Sequence, residues 1–141
     1  MGLDNFWKIP EGEHHPVFTG IDFEIVGGML SGSTTLDLQH TLCMSFRGKV
    51  YSNFIDELTG ISLYSDLLDQ EEITHIAEAL KNLRQILEDK EPLEKLRYLG
   101  SKFSESIEMD SLTSGLLNLP SLEVMFQKYS EIDGVCLESS F

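Results

Sequence analysis

Asp69-Gln70-Glu71-Glu72-Ile73-Thr74-His75-Ile76-Ala77-Glu78-Ala79-Leu80-Lys81-Asn82-Leu83-Arg84-Gln85-Ile86-Leu87 is the stretch on which the fold turns. Ile73, Ile76, Ala77, Leu80, Leu83 and Leu87 recur at three- and four-residue spacing, which lays one apolar stripe along an α-helix. Asp69 followed by Glu72 is a capping-box pattern: the Asp carboxylate can accept the N3 amide while the Glu side chain reaches back to the cap amide. A helix from about residue 70 to residue 89 follows, and its stripe needs something to cover.

Downstream the same logic continues. Pro92 suits a first helical turn, and Leu93, Leu96, Leu99 and Phe103 are expected to face inward. A further helix begins near Pro120 and carries Leu122, Met125, Phe126 and Tyr129. Residues beyond Gly134 are expected to be frayed or loosely docked.

Upstream the period changes. Tyr51, Phe54, Ile55 and Leu58 fit one face of a shorter helix that Gly60 is placed to end. Before it, Ile21, Phe23 and Ile25 alternate with Asp22 and Glu24, and Leu36, Leu38, Leu42, Met44 and Phe46 keep even spacing, interrupted by His40. Both runs have the period of half-buried strands. Eight of the eleven glycines lie at or before Gly60. The expected fold is therefore α+β: a small antiparallel sheet from the first half covered by three or four helices from the second. Residues 1–141 read as a single domain, with a strand- and loop-rich part over 1–60 and a helical part over 61–141.

Composition narrows the function classes. The chain has 141 residues, 41% of them hydrophobic, enough for one core that buries roughly 65–70% of the surface of the unfolded chain. Ten basic residues against twenty-four acidic ones leave a formal charge of -14. A long polyanion is bound by releasing counterions to clustered Lys and Arg, so direct binding of DNA or RNA is not expected. No apolar run reaches the roughly 20 residues of a membrane span, and the opening residues lack a secretory pattern, so no membrane association and a cytoplasmic location are expected. Cys43 and Cys136 have no metal-type spacing and are expected to be buried free thiols. Glu11, Glu13, His14 and His15 could offer one metal ligand but not a matched pair of histidines, since neighbouring side chains diverge; no metal and no cofactor are expected.

Against that negative background, Ser45-Phe46-Arg47-Gly48-Lys49 places two of the three bases of the first sixty residues around one glycine. Arg47 and Lys49 can neutralise a phosphate, and Gly48 lets bare backbone approach it. The Gly27-Gly28-Met29-Leu30-Ser31-Gly32-Ser33 loop, through Gly28, Ser31 and Gly32, could add amides and hydroxyls if it meets the same place. Ser45 adds a hydroxyl, while Phe46, Tyr51 and Trp7 are candidates to stack on a base. The competing account is structural: the glycines make ordinary turns, Arg47 and Lys49 pair with nearby carboxylates, and Trp7 anchors the first strand. Neither a Walker loop nor a dinucleotide fingerprint is present.

The opening Met1-Gly2-Leu3-Asp4-Asn5-Phe6-Trp7, the Gly27 to Gly32 loop and Ser45 to Tyr51 together resemble a group of small proteins from bacteria and their phages that have no assigned activity. The resemblance covers about the first half of the chain. It implies a phage-like setting in which small acidic proteins sequester a signalling nucleotide or block a host protein. The expectation is thus non-catalytic binding of a small phosphorylated ligand, a signalling nucleotide by class. The alternative is an acidic inhibitor or nucleic-acid mimic that binds a host protein through a helical face. No nucleophile, base and stabiliser can be assembled by spacing, so an enzyme is not expected, while a homo-oligomer stays open.

Overall fold

The computed structural model describes residues 3–19, 34–35, 40–42, 45–103, 107 and 109–140. Strand β1 (Asp4–Lys8) is followed by the short strands β2 (Val17–Thr19), β3 (Thr34–Thr35), β4 (His40–Leu42) and β5 (Ser45–Phe46). A 3-10 turn over Gly48–Val50 leads into helix α1 (Ser52–Thr59). Strand β6 (Leu67–Leu68) precedes α2 (Gln70–Leu87), α3 (Pro92–Lys102), α4 (Met109–Leu117) and α5 (Leu119–Ser130), and β7 (Cys136–Ser140) closes the order. The fold is α+β.

Helix α2 forms where its pattern places it. Asp69 Oδ1 accepts from the Glu72 amide at 2.9 Å while Glu72 Oε1 accepts from the Asp69 amide at 3.3 Å, closing the capping box. All six residues of the apolar stripe are buried. They pack chiefly on α5, whose Leu122, Met125, Phe126 and Tyr129 are buried in turn. Arg84 of α2 also donates to the buried Glu123 of α5, tying the two helices together. Gly60 ends α1 at φ 78°, its amide donating to Asp56 at 2.7 Å, a conformation that costs a glycine least.

Two features depart from the sequence expectation. The segment after Gly134 is not frayed: Val135 and Leu137 are buried, and β7 lies at the middle of the four-stranded sheet, whose order is β5-β1-β7-β6. All its pairs are antiparallel, with Asp4 opposite Ser140 and Lys8 opposite Cys136. Two strands of this sheet, β6 and β7, thus come from the part after residue 60. The alternation that makes β7 is short and mostly polar, Cys-Leu-Glu-Ser-Ser, so its strand character depends on β1 and β6 rather than on its own composition. In α3, Leu93 is 59% exposed although Leu99 and Phe103 are buried. An eleven-residue helix that turns only one stripe inward leaves its first turn outside the core.

A second, three-stranded sheet has the order β2-β4-β3. The strand expected at Ile21 to Ile25 lies outside the described residues; β4 and β5 represent parts of the run expected from Leu36 to Phe46, and β3 lies just before it. One cluster of buried side chains draws on both halves of the chain, from Leu3 and Trp7 to Val135 and Leu137.

Candidate functional site

The segment around Gly48 is fixed by the sheet it borders. Strand β5 pairs with β1 in the register Asn5 opposite Phe46 and Phe6 opposite Ser45. The Lys49 amide then donates to the Leu3 carbonyl at 3.3 Å, and the Tyr51 amide to the Gly48 carbonyl at 3.0 Å. Gly48 is buried against Asn5, and a Cβ at this position would overlap Asn5 Oδ1. A glycine is therefore required by close approach, the reason bare backbone was expected here, although what approaches is Asn5 and not a ligand. The Asn5 side chain is held from its other end, Nδ2 donating to the Leu63 carbonyl at 3.0 Å.

Arg47 and Lys49, on either side, are exposed. Neither side chain forms an ion pair or hydrogen bond with any described residue, despite a chain rich in carboxylates. They stand as two cations without a partner among the described residues, on backbone tied by hydrogen bonds to Leu3 and across the turn at Gly48. The carboxylate pairing weighed for them from the sequence is absent among the described residues.

The expected stacking residues are placed differently. Trp7 is buried and lies parallel to Tyr129, ring centroids 4.2 Å apart and planes inclined by 3°, with Phe126 edge-on at 5.2 Å. Phe46 is buried in the same aromatic group, 5.8 Å from Phe126. Tyr51 is buried as well, and its hydroxyl accepts from Asn118 Nδ2 at 3.0 Å. Burial pushes the Tyr51 phenol well above its ordinary range, and the Asn118 bond opposes part of that shift. Each ring fills core volume, so none of the three offers a free face to a base; for Phe46 and Tyr51 the stacking role is corrected to packing, and for Trp7 the anchoring role weighed beside it is the one its burial fits. Ser45 is likewise buried beneath the segment. Gly28, Ser31 and Gly32 lie outside the described residues.

The histidine cluster also resolves into structure. His14 is exposed, whereas His15 is partly buried with Nδ1 2.8 Å from the Tyr129 hydroxyl. Burial pulls the His15 imidazole below its ordinary value, favouring the neutral ring. Among the described residues no group of three or more His, Cys, Asp and Glu side chains is arranged to hold a metal ion. No helix among them is long and apolar enough to cross a membrane.

Sequence patterning missed a cleft between α1, α2 and α3. It measures about 330 Å³ and is lined by Leu58, Leu83, Ile86 and Phe103 together with the more polar Asn82 and Lys102. Lys102 Nζ lies 5.6 Å from the centre of the Tyr98 ring and Lys90 Nζ 5.5 Å from it. The available signal was Ile86, an aliphatic residue standing off the α2 stripe and 46% exposed, together with the i, i+4 spacing of Tyr98 and Lys102.

No protein-family model, curated protein or solved structure matches this chain.

Proposed function

We propose that this protein is a non-catalytic binder of a small phosphate-bearing ligand, a signalling nucleotide by class, held by Arg47 and Lys49. One observation carries the proposal: two exposed cations, unpaired among the described residues, flank a glycine locked by Asn5 in a chain of formal charge -14. A positive site without internal carboxylate partners is free to meet an external anion, and Arg can meet a phosphate with two parallel donors. A small anion feels these nearest charges, whereas a long polyanion also feels the negative surface around them. Because Trp7, Phe46 and Tyr51 are committed to the core, recognition is centred on the phosphate and not on a base.

The alternative, mimicry of a nucleic-acid backbone by a helical face, has less support. Helix α2 carries Glu71, Glu72 and Glu78 but also Lys81 and Arg84, so its charge is mixed along its length. Mimicry needs carboxylates concentrated on one face.

Calorimetric titration of the wild type and the Arg47→Ala variant with inorganic phosphate, pyrophosphate and mono-, di- and cyclic nucleotides tests the proposal. The expected loss on substitution is about tenfold to hundredfold in affinity, with weaker binding at physiological than at low salt. Equal binding by both proteins would put the ligand elsewhere, and binding by neither would leave Arg47 and Lys49 a solvated pair.

A further inference from the structure

We infer that the cleft between α1, α2 and α3 is a second binding site, for a small amphipathic anion whose apolar body covers Leu58, Leu83 and Ile86 and whose head meets Lys102. This site is independent of Arg47 and Lys49. At about 330 Å³ the cleft lies at the lower end of the range, roughly 300–1,000 Å³, that holds small organic molecules. Its lining has the composition of such sites: an aliphatic and aromatic floor with a few polar groups at the rim, Asn82 and Lys102 among them. Ile86 is 46% exposed within it, so a ligand's apolar body removes aliphatic surface from water there.

The charge of the ligand follows from what the lysines do. Acidic side chains outnumber basic ones in this chain by more than two to one, yet Lys90 and Lys102 form no ion pair among the described residues. Both ammonium groups sit instead within cation–π distance of one phenol ring, at 5.5 and 5.6 Å. Two like charges gathered on Tyr98 leave the α3 side of the cleft locally positive. Glu57 on α1 lines the same cleft and its carboxylate disfavours an anion on that wall, so the head is placed on the α3 side, beside Lys102. An anionic head beside Lys102 relieves the repulsion between the two ammonium groups, while a cationic head adds to it.

Titrations followed by the backbone amide NMR signals of Ala79, Asn82 and Ile86 test this with one apolar body and three heads: octanoate, octanol and octylamine. Saturable shifts confined to the cleft are expected, with octanoate tightest and octylammonium weakest. Lys102→Met, a rim substitution, should weaken octanoate about tenfold and leave octanol unchanged. Ala79→Phe, which fills the cleft, should remove binding of all three, and Arg47→Ala should leave octanoate binding intact. The absence of saturable shifts would overturn the inference. So would octylammonium binding as tightly as octanoate, or octanoate affinity unchanged in Lys102→Met; that arm decides the matter even if Ala79→Phe fails to fold.

Discussion

Helix α2 carries its instructions in a single run of neighbours, whereas β1 and β7 become strands only by pairing with segments far away in sequence. In α2 the cap, the stripe and the residues they organise are all within reach along the chain, so the element is specified before tertiary structure exists. Between β1 and β7 every pairing spans almost the whole sequence, and their other partners, β5 and β6, also lie far away along the chain. The difference teaches where this fold is fragile: the helix can lose any one feature and persist, while the sheet loses its middle if β7 is absent.

The most severe way to break the comparison is to end the chain after residue 135, which removes β7 from between β1 and β6. Such a truncation should abolish the cooperative thermal transition and leave helical signal without fixed side-chain packing, as judged by far- and near-ultraviolet circular dichroism. A cooperative melt in the truncated chain would mean that the helices and β1 form the core without β7. Within α2, Leu80→Ala empties a fully buried position facing α5 and should cost about 2–5 kcal/mol while the helix itself survives. Chemical denaturation of the variant measures this, and an unchanged midpoint would contradict the burial of the stripe. The smallest effect belongs to the cap: Asp69→Ala removes one end of the capping box and should cost about 1 kcal/mol. A loss as large as that of Leu80→Ala would show that α2 depends on its start far more than on its packing.

These contrasts explain what could be read from the chain in advance. Helix α2, the helix ending at Gly60, the helix opening at Pro92 and the one beginning at Leu119 were legible because caps and stripes are local signals. Helix α4 was not, since Met109 to Leu117 mixes Ser, Thr and Gly among its apolar residues. Strand β7 was invisible for the reason given above: Glu138 and Ser139 acquire their meaning from Phe6 and Asn5. At the candidate site, the exposure of Arg47 and Lys49 and the need for glycine at 48 were foreseeable from charge and composition. The anchoring of Trp7 in the core was among the readings its position allowed, whereas the burial of Phe46 and Tyr51 was not separated from a stacking role, because an aromatic residue beside a positive segment reads the same whether its ring faces a ligand or the core. The cleft escaped because its walls come from three helices, and no window of sequence contains them together.

The pairing of Asp4–Lys8 with Cys136–Ser140 has a consequence for biosynthesis. A ribosome adds about 5–20 residues per second, so roughly 6–25 s separate the emergence of the first strand from that of its partner. Through that interval Leu3 and Trp7 have no completed sheet to be buried in, whereas α2 can form and meet α5 as soon as both are outside the tunnel. The nascent chain therefore passes through a stage in which helices are made and their floor is not, and the arrival of β7 is the latch that closes the sheet over Leu3 and Trp7.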